Sequence, residues 1–111
     1  EGVPHVQPPA CVMERMLTVR IHVDDCDVDT GAVRCVPGSH GRGRLGDDDI
    51  RAVVNEKDAV AWSASAGDVL AFRPLLLHAS SKASFPTRRR IVHLEFVSTD
   101  AAHEGVRLRR A

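Results

Sequence analysis

The segment Leu17-Thr18-Val19-Arg20-Ile21-His22-Val23-Asp24-Asp25 and the segment Gly31-Ala32-Val33-Arg34-Cys35-Val36-Pro37-Gly38-Ser39-His40 decide the fold. In the first, Leu17, Val19, Ile21 and Val23 alternate with Thr18, Arg20 and His22, the period of two that a strand imposes on its two faces. Asp24 to Gly31 reads as a turn-rich acidic loop, and Ala32 to Val36 returns as a short β segment. Pro37-Gly38 then forces a sharp turn, because Pro fixes φ and Gly permits a positive one. Upstream, Pro4, Pro8 and Pro9 predict an extended or irregular approach, followed by one helical turn in Cys11 to Met16.

Downstream, Gly41, Gly43 and Gly46 continue the loop, and Asp47, Asp48 or Asp49 is placed to cap one short helix, Asp49 to Val54. Val60 to Ser63 is a strand candidate and Gly67-Asp68 a turn. Val69 to Phe72 predicts a strand running through Pro74 into Leu75-Leu76-Leu77-His78. Small and polar residues fill Ala79 to Thr87. The last predicted strand is Arg89 to Val97, with Arg89, Ile91, His93 and Glu95 on one face and Arg90, Val92, Leu94 and Phe96 on the other. Short strands joined by turns, with little helix, give a mainly β sandwich or jelly roll.

At 111 residues the chain fits a single small domain. Its 15 basic and 15 acidic residues cancel, so no overall field draws it to nucleic acid or an anionic membrane. No apolar run approaches the ~20 residues of a membrane span, and no basic-then-apolar leader opens the sequence, so a soluble, cytoplasmic protein is expected. Arg107, Arg109 and Arg110 read as a solvated basic tail. Cys11, Cys26 and Cys35 lack CxxC spacing and read as buried or incidental thiols. There is no Ser/His/Asp triad and no phosphate-cradling glycine loop.

The residues that carry chemistry are His78, at the end of an apolar run, and Arg89, at the start of the next strand. Imidazole there can ligate a metal inside a barrel, and a guanidinium can grip a carboxylate with two parallel hydrogen bonds. The bland alternative is a core histidine bonded to backbone. His22-Val23-Asp24 is a literal His-x-Asp whose side chains share a strand face; its alternative is a barrel-lining His22 beside a turn-opening Asp24. His40, inside Pro-Gly-Ser-His, reads as a structural hydrogen-bonding residue, His5 as a pocket-mouth residue and Trp62 as a core or rim anchor.

The two opening segments, with Ala66-Gly67-Asp68-Val69-Leu70, Pro74-Leu75-Leu76-Leu77-His78-Ala79-Ser80 and Arg89-Arg90-Ile91-Val92-His93-Leu94-Glu95-Phe96, resemble the phytanoyl-CoA dioxygenase family in order and spacing. The likeness covers roughly residues 3–97, leaving 98–111 as a tail, and its most specific piece is the Gly-Ala to Pro-Gly-Ser-His segment. It implies a double-stranded β-helix, the cupin-like jelly roll, that holds Fe(II) with two histidines and a carboxylate and chelates 2-oxoglutarate. Carried over by position, His78 is the second histidine ligand. Arg89 binds the far carboxylate of 2-oxoglutarate, with Arg88 and Arg90 as register-shifted alternatives, and His93 on the same face orients that co-substrate or packs.

The family's His-x-Asp precedes the stretch matching Leu17 to Asp25, so the jelly roll is expected to be incomplete at its N-terminal side and to bind iron weakly unless His22 and Asp24 or a partner chain fill the gap. An open edge and apolar face also predict a homodimer. The expected function is that of an Fe(II)- and 2-oxoglutarate-dependent dioxygenase hydroxylating a small organic substrate, or a truncated member of that family. The alternative is a non-catalytic cupin-like module that binds a small carboxylate or mediates an interaction.

Overall fold

A computed structural model describes residues 7–102 of the chain. His5 and the basic tail lie outside those residues. The elements are α1 (Ala10–Met13), β1 (Met16–His22), β2 (Val33–Cys35), a 3-10 turn (Ser39–Arg42), α2 (Asp47–Glu56), β3 (Val60–Trp62), β4 (Val69–Phe72), β5 (His78–Ser80), β6 (Ile91–Val97) and α3 (Thr99–Ala102). They form two three-stranded antiparallel sheets, ordered β4-β1-β6 and β3-β2-β5. The mainly β expectation holds, and the two sheets are those of a double-stranded β-helix.

The alternation in β1 has its structural meaning here. β1 is the central strand, pairing from Met16↔Val97 to His22↔Ile91 on one side and from Thr18↔Phe72 to Ile21↔Val69 on the other. Thr18, His22 and Phe72 are buried between the sheets, whereas Leu17, Val69, Val92, Leu94 and Phe96 are exposed on the outer face. The inner face therefore carries the polar row and the outer face the apolar one. Cys35, Phe72 and Leu76 form the core cluster, against which Trp62 and Leu70 pack in part, so Trp62 is a rim anchor. Burial raises the Cys35 thiol's pKa, which suits an inert core residue.

Several boundaries differ from the sequence reading for physical reasons. The strand expected to run from Val69 through Pro74 to His78 stops at Phe72, and a turn closed by Leu76 N–H donating to Arg73 O (2.9 Å) carries the chain to the other sheet. His78 thus opens β5, opposite Cys35, and does not close β4. The last strand begins at Ile91 because Arg89 is engaged by the β1–β2 loop before pairing starts. The helix is longer than expected and its N-cap is Gly46 with no side-chain cap bond; Asp47, Asp48 and Asp49 sit in its first turn, where they favour the positive end of the helix dipole.

The Pro-Gly-Ser-His segment leads from β2 toward α2 and bonds to the chain entering β5, within one sheet. Gly38 adopts φ 79°, a left-handed conformation that a side chain disfavours. This swings Ser39 inward, where its buried Oγ accepts the Leu77 N–H at 2.9 Å while Val36 N–H donates to Leu77 O at 2.9 Å. The structural hydrogen bond expected of His40 belongs to Ser39; the His40 ring is exposed and its carbonyl accepts from Gly43 N. Ser39→Ala strands a backbone donor next to His78, and is expected to lower stability by about 1–3 kcal/mol in urea unfolding.

Candidate functional site

His78 stands at the start of β5, with its ring against Phe72 of the opposite sheet in a T-shaped contact, centroids 4.8 Å apart at 61°. Its Nδ1 lies 2.6 Å from Leu76 O. A carbonyl only accepts, so Nδ1 carries the proton and Nε2 is left with a lone pair for a ligand. That is the backbone-oriented imidazole typical of a metal ligand, and equally the bond expected of a structural histidine. The ring borders a cleft of about 380 Å³ lined in part by Gly43, Ile50, Pro74 and Leu75.

Arg89 lies beyond the other end of β5. Its Nη1 donates to the carbonyls of Thr30 (3.2 Å) and Gly31, which fixes the guanidinium against the close of the β1–β2 loop. Gly31 has φ 89°, and a Cβ there would stand 2.4 Å from both Arg89 Nη1 and Ser81 O. The position therefore needs glycine twice, for its backbone and for the guanidinium. Ser81, whose carbonyl also faces Gly31, follows β5 directly, so His78 and the Arg89 head group lie toward opposite ends of that strand.

The three consecutive arginines take different environments. Arg90 forks onto Asp24, with Nε to Oδ2 and Nη2 to Oδ1 both 2.9 Å and its backbone N–H to Oδ2 at 2.8 Å. Arg88 lines an open surface cleft with Asp24, Asp25 and Asp27. Arg89 alone of the three is held by the Thr30 and Gly31 carbonyls.

Between these sites runs the inner row of β1. His22 is 2% exposed, and neither ring nitrogen has a hydrogen-bond partner; Arg20 Nε is likewise buried and unpartnered. Burial, then the Arg20 charge, lowers the His22 pKa, with Asp68 opposing and Arg89 adding to the fall. Further along, Thr18 Oγ1 donates to Glu95 (2.9 Å to Oε2), and His93 Nε2 lies 2.7 Å from Glu95 Oε1. His93 is thus on the Glu95 side of the row, paired in register with Arg20.

The acidic loop satisfies backbone. Asp27 Oδ1 accepts from Asp29 N and Thr30 N, Asp25 Oδ1 from Ala66 N and Asp68 Oδ2 from Ser65 N. Among the described residues no group of three or more His, Cys, Asp or Glu side chains is placed to hold a metal. His22 is buried between the sheets while Asp24 is engaged by Arg90, and among the described residues the literal His-x-Asp does not join His78 in a three-ligand group. The residues present fit the far carboxylate of a co-substrate at Arg89 and one iron ligand at His78; they do not by themselves fit iron.

With that geometry in place, the comparisons are direct. The model of the phytanoyl-CoA dioxygenase (PhyH) family matches residues 3–91. The chain belongs to the phytanoyl-CoA dioxygenase family. Among solved structures it resembles AviO1 from Streptomyces viridochromogenes Tue57, at 28% identity and TM-score 0.66 over 77% of this chain and 38% of that one. It resembles the non-heme alpha ketoglutarate dependent carbocyclase SnoK from nogalamycin biosynthesis at 26% identity and TM-score 0.61, over 74% and 36%. The fold also matches EctD from S. alaskensis, solved with bound Fe and with 2-oxoglutarate and 5-hydroxyectoine, at 20% identity and TM-score 0.70 over 79% and 33%. The chain thus spans between 33% and 38% of the length of these structures. No curated protein matches the chain. No helix among the described residues is long and apolar enough to cross a membrane.

Sequence reasoning had no signal for the carbonyl cradle of Thr30 and Gly31, since backbone acceptors carry no residue code; Gly31 preceding Ala32 was the only trace. Gly31→Ala is expected to displace Arg89 and to destabilise the fold by about 1–3 kcal/mol, measured by thermal unfolding beside Arg89→Ala, which leaves the glycine conformation intact. A second expectation concerns acid. The Arg90 hydrogen bonds lower the Asp24 pKa from 3.8 to about 2. A carboxyl depressed on folding contributes stability that is present above its unfolded pKa and is lost as pH falls through the folded one. Asp24→Asn should therefore flatten the acid limb of the stability profile between about pH 4 and pH 2, read from denaturation midpoints, and leave its slope near neutrality unchanged.

Proposed function

We propose that this chain supplies the co-substrate-anchoring part of a 2-oxoglutarate-dependent dioxygenase acting on a small organic substrate. The observation that carries the reading is the Arg89 guanidinium fixed by the Thr30 and Gly31 carbonyls, eleven positions after His78 and beside the end of the strand that His78 opens. Arg89 grips the far carboxylate of 2-oxoglutarate as a fork, which a lysine does not reproduce. His78, with Nδ1 held by Leu76 O, offers Nε2 as one metal donor. Iron and 2-oxoglutarate, when bound in such an enzyme, supply the oxidising power for attack on a C–H bond.

Membership of the family and the likeness to oxygenases of the same fold support the dioxygenase class. A lone imidazole is too small a donor set for tight Fe(II) binding, so the remaining donors are proposed to come from residues outside the described set or from a partner chain. The exposed apolar outer face of the β4-β1-β6 sheet supports a homodimer as that partner. The second reading, a cupin-like module that binds a small carboxylate without redox chemistry, is favoured by the same absence of a three-ligand group among the described residues.

Calorimetric titration with 2-oxoglutarate tests the anchor. Losing a bidentate charge-assisted contact costs on the order of 2–4 kcal/mol, so Arg89→Ala should bind at least about thirtyfold more weakly than the parent. Equal affinity in the two proteins, or none in the parent, would remove the proposal. Anaerobic Fe(II) loading of the same preparations is expected to give substoichiometric iron, and stoichiometric iron lost in a His22→Ala/Asp24→Ala double variant would instead establish those two residues as ligands.

A further inference from the structure

Neither ring nitrogen of His22 meets a partner, although the side chain is 2% exposed and closes β1, the central strand of its sheet. Buried polar atoms in folded proteins are nearly always hydrogen-bonded, and one left unpaired costs about 1–3 kcal/mol. A second such atom, Arg20 Nε, lies two residues away on the same strand, and the period of two puts both side chains on the inner face. Two orphaned groups side by side point to something that enters between the sheets and satisfies both.

The charge around them says what enters. Arg20 and Arg89 each lower the His22 pKa, and Arg89 lowers that of Arg20, so the three groups are electrostatic neighbours. Asp68, the one acid acting on His22, has Oδ2 bonded to Ser65 N–H. On β6, the acid facing inward is Glu95, which is bonded to Thr18 and His93. Ile91 is the residue directly opposite His22. Two guanidiniums and an imidazole therefore lie near one another, and Asp68 is the one carboxylate whose charge opposes theirs at His22.

We propose that Arg20 and His22 are positioning residues for the anion that Arg89 anchors, so that a single carboxylate is held by donors from β1 and from the chain leading into β6. The inference rests on the co-substrate reading of Arg89 and extends it. A carboxylate has about four acceptor sites, enough for the Arg89 fork together with the Arg20 Nε–H and one imidazole N–H. Arg89 Nη1 is already engaged by Thr30 and Gly31, so a single arginine makes an incomplete clamp here and the two β1 donors complete it. Three donors at one end make the site selective for ligands that carry a far carboxylate. A 2-oxo acid of the same length lacking that group gains nothing from them.

The test compares 2-oxoglutarate with 2-oxovalerate, which keeps the keto acid and drops the far carboxylate, on the parent, Arg89→Ala, Arg20→Met, His22→Gln and His22→Leu. Each lost charge-assisted bond is expected to weaken 2-oxoglutarate about tenfold in Arg20→Met and in His22→Leu, with 2-oxovalerate changed less than about twofold. His22→Gln, which retains an N–H donor, should recover most of that loss. His22→Leu should at the same time unfold at a higher temperature than the parent, because it removes an unpaired buried polar group, and a purely structural histidine does not combine higher stability with weaker binding. In protein labelled with 15N-histidine, the His22 ring resonances should move on adding 2-oxoglutarate and stay in place with 2-oxovalerate.

Unchanged 2-oxoglutarate affinity in Arg20→Met and His22→Leu, while Arg89→Ala still abolishes binding, would overturn this inference and leave the Arg89 reading standing. Absence of 2-oxoglutarate binding by the parent would remove both. Equal losses for the two ligands would also overturn it, since they would mean that the β1 residues shape the cavity and do not contact the carboxylate.

Discussion

β1 is hydrogen-bonded along both edges, to β4 and to β6, and that pairing fixes which way every second residue points. A slip by one residue would send Thr18, Arg20 and His22 to the outer face and bring Leu17, Val19 and Ile21 inward. Nothing else in the molecule places the polar row. Thr18 bonded to Glu95, Arg20 opposite His93 and His22 opposite Ile91 follow from one register, and so does the exposure of Leu17, Val92, Leu94 and Phe96. The outer face of the sheet is apolar, whereas its inner face sets the polar row of β1 beside Phe72 and Leu70, which pack in the core.

The second sheet packs on the first through Cys35, Phe72 and Leu76, and side-chain bonds to backbone hold the turns around that contact. Ser39 Oγ accepts from Leu77, Thr30 and Gly31 accept from Arg89, and Leu76 O accepts from His78. Each of these bonds sits within a few residues of a side chain that the site needs. The short strands β2 and β5 contribute three residues apiece, so turn chemistry at Gly31 and Gly38 takes over the positioning that longer strands would provide. Glycine at both positions lets the chain reverse at positive φ, and at Gly31 the missing Cβ also leaves room for Arg89 and Ser81 O.

Much of this was legible in the sequence because period two, Pro-Gly turns and a positionally matched His and Arg are local signals. The alternation of β1 and of β6, the acidic turn and the sharp turn at Pro-Gly-Ser-His all came from residues adjacent in the chain. The miss at Pro74 has a local cause too. Leu75-Leu76-Leu77 has strand composition, yet Pro74 and the Arg73 to Leu76 turn carry it between sheets, so apolar content misled where turn geometry governed. The His40 reading failed because the motif names four residues and only their fold decides whether Ser39 or His40 turns inward.

The sequence by itself determined a mainly β chain that resembles the phytanoyl-CoA dioxygenase family, and it singled out His78 and Arg89 as candidates. The strands follow from residue periodicity, and the family and the two candidates from motifs matched in order and spacing. Only the tertiary structure decided that the β1–β2 loop cradles Arg89 through carbonyls fifty-eight and fifty-nine residues away, that Asp24 goes to Arg90, and that His22 and Arg20 are left unpaired beside Arg89. The physical reason is that backbone acceptors look alike at every position and an unmet hydrogen bond is a property of surroundings. Neither can be read until distant segments are brought together.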